Sequence, residues 1–220
     1  MGAYKSLFRR FGVPIAEYAA QQGYHEANLL ILRGDLDGLK EKYPQIYENL
    51  LSCKHHSDRR TPLEYGQDLV ASWLLEDHFL KKLDQSDVYR IQLGGNDRNR
   101  MILRETRVST TSDFLLVSGT KQVSLELMND YTGFWARTQR LHLRDNKYQS
   151  LCSSGSVLLA ASIPTAQYGL FDFGKNISAK YIPEHKPYGN KPAYELALNR
   201  EVFKKLDFAV LRKDLEEIVK

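Results

Sequence analysis

The chain has 220 residues, 42% of them hydrophobic and 26% charged, and a formal net charge of +4 from 31 basic and 27 acidic side chains. That length suits one domain of ordinary size with a helical appendage, and the composition excludes a disordered or low-complexity chain. The longest apolar run, residues 157–161, falls far short of the roughly 20 residues that span a bilayer, and no long apolar stretch follows Phe8-Arg9-Arg10-Phe11 as a secretory signal would require.

A soluble, cytoplasmic protein with no membrane partner is therefore expected. Cys53 and Cys152 lie too far apart to suggest a disulfide framework or a paired-cysteine zinc site.

Residues 4–53 read as short helices punctuated by Gly12, Gly23, Gly34 and Gly38, with Pro44 opening a further one. A helix-turn-helix beginning at Gly12 is one reading of this stretch, and an ordinary helical cap is the other. Residues 52–60 are polar and read as a linker, although they carry Cys53, His55 and His56. Thr61-Pro62 then opens a strong helix through residue 83, with Leu69, Val70, Trp73, Leu74 and Leu80 on its buried side.

Beyond that helix the period changes to two. Residues 88–93 and 101–108 flank Gly94-Gly95-Asn96-Asp97, which reads as a hairpin. Residues 113–118 and 122–128 form a second strand pair. Residues 137–151 read as a helix, 157–163 as a buried strand and 168–173 as a short one. Pro183, Pro187 and Pro192 fall in loops, and an amphipathic helix closes the chain over residues 200–219. The order predicts a mixed α/β (α+β) fold: a mixed central sheet flanked by helices, with an N-terminal helical extension.

The second strand pair carries the chemistry. With Gly119 and Thr120 as a two-residue turn, Ser118 faces Lys121 and Asp113 faces Glu126. Alternation sends Phe114, Leu116, Val123, Leu125 and Leu127 to one face and both acids to the other. Directly opposed carboxylates repel, so a sheet selected for stability alone would not favour them. A divalent cation between them removes the repulsion, and hard oxygen ligands suit Mg²⁺, with Mn²⁺ able to substitute. A solvated face holding no metal is the plainer alternative, and a register change of one residue would separate the acids.

A long helix, an acid at the start of one strand, and a second acid 13 positions later in a hydrophobic strand resemble the PD-(D/E)XK nuclease superfamily. That superfamily includes type II restriction endonucleases, Holliday-junction resolvases and end-cleaving subunits of some transposases. Gly66-Gln67-Asp68-Leu69-Val70 resembles its first helix, and Arg140-Leu141-His142-Leu143-Arg144-Asp145-Asn146-Lys147-Tyr148 its basic helix. Residues 157–164 resemble its next core strand. The similarity covers residues 61–173, about half the chain.

The resemblance implies that Asp113 and Glu126 are metal-binding catalytic carboxylates. Two positions depart from the pattern. Met128 stands where the family has a lysine that holds the attacking water, and Gln67 stands where many relatives have a glutamate. Lys147 on the following helix is the candidate replacement for the lysine, with Lys121 a poorer one. Glu64 and Asp68 are candidate first-helix acids.

These readings predict a helical extension over residues 1–60, a catalytic core over 61–175 and a C-terminal segment over 176–220. The expected activity is Mg²⁺-dependent hydrolysis of DNA phosphodiesters by metal-bound water, as in a restriction system, with a transposon-end nuclease as a further option. Arg98, Arg100, Arg137, Arg140 and Arg144 would contact double-stranded DNA, and cutting both strands calls for a homodimer. The alternative from another class is a nucleic-acid-binding module, or a subunit of a larger assembly, that does not cut; Met128 favours it.

Overall fold

The computed structural model describes residues 14–53, 60–94, 98–102 and 112–220. Chain contacts divide the protein into two compact units, residues 1–79 with 95–111, and residues 80–94 with 112–220, the division passing through the long helix. Residues 95–97 and most of the stretch 101–108 lie outside the described residues, as do His55, His56, Arg104 and Arg107.

The first unit is helical: α1 (Ile15–Gln21), α2 (Glu26–Arg33), α3 (Leu36–Lys42), α4 (Pro44–Ser52) and most of α5 (Pro62–Leu83). Gly34 ends α2 in the left-handed conformation at φ 80°, a backbone state that glycine adopts without steric cost. α5 opens with a reciprocal cap. The Thr61 amide donates to Glu64 Oε2 at 2.8 Å, and the Glu64 amide donates to Thr61 Oγ1 at 3.2 Å. Ile31, Leu39, Leu50, Val70 and Trp73 are buried within this unit.

The second unit is built on a six-stranded sheet of order β1-β2-β3-β5-β6-β9. Its strands are β1 (Arg90–Leu93), β2 (Phe114–Ser118), β3 (Lys121–Asp130), β5 (Val157–Ser162), β6 (Gln167–Asp172) and β9 (Phe203–Lys205). The β3–β5 pairing is parallel and the others are antiparallel. Between β3 and β5 the chain forms α6 (Phe134–Thr138), β4 (Arg140–Arg144) and α7 (Asp145–Ser154). A second antiparallel sheet joins β4 to β8 (Lys191–Ala197) and β7 (Lys180–His185), and α8 (Phe208–Val219) closes the chain. The fold is mixed α/β, with a mixed central sheet flanked by helices.

All six residues of β5 are buried, as expected of a strand covered on both faces. On one face Leu158, Ala160 and Phe171 cluster with Leu141, Leu143 and Leu196 of the second sheet and with Leu151 of α7. α8 packs on β2 and β3 and buries Leu211, Leu215 and Val219. Complete burial of each such leucine contributes about 1.5–3 kcal/mol.

Four expectations are corrected. Residues 137–151 are not one helix, because Arg140-Leu141-His142-Leu143-Arg144 alternates with period two and forms β4 before α7 begins. β1 pairs with β2, Arg90 facing Val117, and the described residues Met101 and Ile102 belong to no strand. The C-terminal prolines are not all in loops. Pro183 sits in edge strand β7 at a register irregularity between Ile182 and His185, Pro192 lies near the start of β8, and Pro187 is in a 3-10 turn. Edges and bulges are where a sheet tolerates a residue without an amide proton. The last helix starts at Phe208 rather than 200, because Asp207 caps it by accepting from the Ala209 amide at 2.8 Å.

Candidate functional site

The β2–β3 register runs from Phe114 facing Leu125 to Ser118 facing Lys121. Carried one residue further, this register sets Asp113 opposite Glu126, just beyond the ladder's end. The backbone fastens Asp113 there. Its carbonyl accepts from the Gly94 amide at 2.8 Å, and its Oδ2 accepts from the Leu127 amide at 2.8 Å. Gly94 is required for this approach, since a Cβ at that position would lie 1.8 Å from the Ser112 carbonyl oxygen.

Glu126 is only 7% exposed. Lys147 Nζ donates to its Oε2 at 2.6 Å from the first turn of α7. A cation in the first turn of a helix opposes the helix dipole, and the Glu126 carboxylate offsets that cost. Glu126 Oε1 makes no hydrogen bond among the described residues. Met128, two positions on and therefore on the same face as Glu126, packs against the apolar cluster of Leu158, Ala160 and Leu151. An ammonium at residue 128 would be desolvated there, whereas Lys147 keeps a 37% exposed side chain and still touches Glu126.

Lys121 is elsewhere. Its Nζ donates to the Ile218 carbonyl near the end of α8 at 3.1 Å. Glu64 is the cap of α5, and Asp68 pairs with Arg60 Nη1 at 2.9 Å. Both acids belong to the first unit.

The predicted DNA-contacting arginines divide. Arg98 is exposed in the first unit, whereas Arg100 turns inward there. Its Nη1 lies 2.7 Å from Glu76 Oε2 and its Nε lies 3.0 Å from Asp77 Oδ1, and its side chain is only 12% exposed. Pairing with two acids stabilises the charged guanidinium against burial, so Arg100 acts as an internal counter-ion. Arg137, Arg140 and Arg144 are exposed in the second unit, on α6 and β4.

β4 also carries chemistry that a helical reading hides. His142 Nε2 hydrogen-bonds Glu195 Oε2 at 3.0 Å, and Arg140 Nη1 lies 3.5 Å from the same oxygen. The His142 and His185 rings are 4.4 Å apart, and the Tyr188 hydroxyl donates to the His142 carbonyl at 2.8 Å. The His142 hydrogen bond, reinforced by Arg140, holds the Glu195 carboxyl below its usual range against burial. Burial first, and His142 second, lower the His185 imidazole despite the opposing pull of Glu195. The signal for this group was the period-two pattern of residues 140–144; its pairing partners lie some 50 residues further on and carry no local mark.

Among the described residues no group of three or more His, Cys, Asp or Glu is arranged to hold a metal ion. Asp113 and Glu126 nonetheless fit a hard divalent cation. Mg²⁺ is commonly held by one or two carboxylates and completes its octahedron with water and substrate phosphate, and Glu126 Oε1 has no hydrogen-bond partner among the described residues. No described helix is long and apolar enough to cross a membrane. Comparison with protein families finds no model that matches the chain, and comparison with curated proteins finds no match either.

Proposed function

We propose that the protein is a Mg²⁺-dependent endonuclease that hydrolyses phosphodiester bonds of double-stranded DNA, resembling a type II restriction endonuclease. The observation that carries this reading is the Lys147–Glu126 contact of 2.6 Å beside Asp113. It joins one carboxylate and one ammonium, and the β2–β3 register continued by one residue sets Asp113 opposite that carboxylate; these are the residue types that the PD-(D/E)XK resemblance requires, although Met128 occupies the expected lysine position. The order of elements supports it too: long helix, antiparallel acid-bearing strands, a helix carrying the lysine, then a strand parallel to β3.

Asp113 and Glu126 would hold the ion, which when bound supplies Lewis acidity toward the phosphate. The Leu127 amide orients Asp113. Lys147 holds Glu126 Oε2 at 2.6 Å in a site with little solvent and, with the scissile phosphate in place, would offset charge developing on its oxygens. Arg137, Arg140 and Arg144 would bind backbone phosphates. Cutting both strands with one such site per chain calls for a homodimer. A transposon-end nuclease is the second enzymatic option.

The test is cleavage of supercoiled plasmid in Mg²⁺ by wild type beside Asp113→Ala, Glu126→Ala and Lys147→Ala. Nicking or linearisation by wild type that is lost in all three supports the reading. DNA binding without cleavage by wild type would overturn it in favour of a non-catalytic binding module, which Met128 favours.

A further inference from the structure

Arg100-Met101-Ile102 lies in the connection between β1 and β2 but belongs by its contacts to the helical unit, whereas Asp113 and Glu126 belong to the other. The helical unit holds it in the manner of a bound peptide. Asn28 Nδ2 of α2 donates to the Arg100 carbonyl at 2.7 Å, and Asn49 Nδ2 of α4 donates to the Ile102 carbonyl at 3.0 Å. Two buried side-chain amides thus grip alternate carbonyls of a segment that forms no helix or strand of its own. Met101, between them, is half-buried and its carbonyl receives neither amide.

The two flanking side chains fill pockets of opposite character. Arg100 enters an acid pocket on α5, where Glu76 Oε2 lies 2.7 Å from Nη1 and Asp77 Oδ1 lies 3.0 Å from Nε. Tyr24 closes that pocket by donating to Asp77 Oδ2. A guanidinium presents several donors in a fixed fork, so one arginine can serve two carboxylates as a lysine cannot. Ile102 is fully buried. A Cβ at Gly66 would lie 2.4 Å from Leu50, 3.3 Å from Ile31 and 3.4 Å from Ile102, so the missing side chain on α5 makes room for an aliphatic one.

The chain's own segment is an imperfect occupant. Arg100 sits at φ 50°, in the left-handed region that is costly for a residue with a Cβ. Strain of this kind gathers at ligand clamps and switch segments. Asn28, only 1% exposed, leaves its Oδ1 without a hydrogen-bond partner, whereas Asn49 Oδ1 accepts from Gln45 Nε2 at 3.2 Å. An asparagine amide can bind one peptide carbonyl and one peptide N–H together, and here the acceptor half is unused. A buried acceptor of this sort ordinarily has a donor. An untethered segment is free to enter with a relaxed backbone and to turn an N–H toward Asn28.

We infer that this groove of the helical unit is a recognition site for an Arg-x-Ile segment of a partner protein, and that residues 100–102 fill it in cis as a tethered competitor. The basic residue occupies the acid pocket, the aliphatic residue packs at Gly66, and the two asparagines hold the backbone between them. A tethered segment competes at an effective concentration on the order of millimolar, so an external segment binds weakly until the internal one leaves. The inference stands apart from the nuclease reading, because none of these residues belongs to the carboxylate site.

The test uses the full chain and a capped, labelled peptide of the sequence Arg-Asn-Arg-Met-Ile, that of residues 98–102. Binding is followed by fluorescence anisotropy for wild type and for the double variant Arg100→Ala, Ile102→Ala, which vacates both pockets in cis. The double variant is expected to bind at least about tenfold more tightly than wild type, because the tethered competitor is lost. Its melting temperature should rise as peptide is added. Adding Asn28→Ala should weaken its binding about fivefold, the worth of one hydrogen bond, and a peptide carrying Arg100→Glu should not bind. Ile102→Ala alone keeps the acid pocket paired and takes the place of the double variant if that chain does not fold, with a smaller gain in binding.

Equal binding by wild type and the folded variants, or equal binding of the native peptide and the one carrying Arg100→Glu, would overturn the inference. Melting curves of the folded variants that do not respond to peptide would overturn it as well. A wild-type dimer that the peptide dissociates, seen by light scattering, would overturn the choice of a foreign partner in favour of exchange of this segment between two copies of the chain.

Discussion

Lys147 and Glu126 lie 21 residues apart in the chain, yet Nζ and Oε2 meet at 2.6 Å, at the boundary between a buried carboxylate and a half-exposed lysine. The contact puts positive charge against a β3 carboxylate that water scarcely reaches. Removing the ammonium should leave the buried Glu126 side chain without its Lys147 partner. Lys147→Met is expected to cost about 1–2 kcal/mol, less than for a fully buried pair because the lysine is partly solvated. Denaturant unfolding at neutral pH checks this, and the loss should shrink when Glu126→Gln is added, because the orphaned charge is then gone.

A swap of lysine position tests the site's chemistry. Met128→Lys alone should destabilise the protein by about 1–3 kcal/mol, because Met128 packs against Leu158 and Ala160. Placed in a Lys147→Met background it should restore a measurable part of the lost plasmid cleavage, since residue 128 shares a face with Glu126. Cleavage equally low in the single and double variants would count against a shared role for the two positions.

Gly94 should resist substitution. A Cβ there would sit 1.8 Å from the Ser112 carbonyl oxygen, so Gly94→Ala must push the segment leading into Asp113 away from β1. A destabilisation of at least about 1–3 kcal/mol is expected from this overlap. Weakened Mn²⁺ binding should accompany it, measurable by calorimetry at a temperature where the variant remains folded.

Arg100 should separate stability from DNA binding. Arg100→Ala leaves Glu76 and Asp77 facing each other without their counter-ion and is expected to cost about 3 kcal/mol. Thermal melting should reveal the loss, while the salt slope of DNA binding stays at the wild-type value.

Asp130 and His185 predict opposite limbs of the acid sensitivity. Burial alone would raise the Asp130 carboxyl, but bonds from the Trp135 amide at 2.9 Å and from Thr132 at 2.8–2.9 Å outweigh it and hold the group below its usual range. Its stabilising contribution is present above the ordinary aspartate value and is lost as pH falls through its lower folded value. His185 is a base held low, so the unfolded chain takes its proton first. Stability from this group is complete above about pH 6.5 and declines as pH drops below it. Unfolding curves between about pH 7 and 3 should therefore show two descents, with His185→Phe removing the upper and Asp130→Asn the lower.

Elements whose signals are local were legible in the order of amino acids. Thr61-Pro62 marked the start of α5 to the residue, and Gly119-Thr120 set the β2–β3 register from which Asp113 and Glu126 face each other. The apolar run at residues 157–161 marked β5. Turn chemistry, capping and periodicity act over a few residues, so they are legible in a few residues. Folding was needed to make Arg140-Leu141-His142-Leu143-Arg144 a strand, because a stretch of five alternating residues becomes one only when β8, some 50 residues on, supplies its hydrogen bonds. The same holds for Arg100, which turns to Glu76 and Asp77 rather than outward, and for Lys147, which reaches Glu126. Charges that pair across the fold are selected by the cost of burying them unpaired, and that cost arises only once the chain has closed around them.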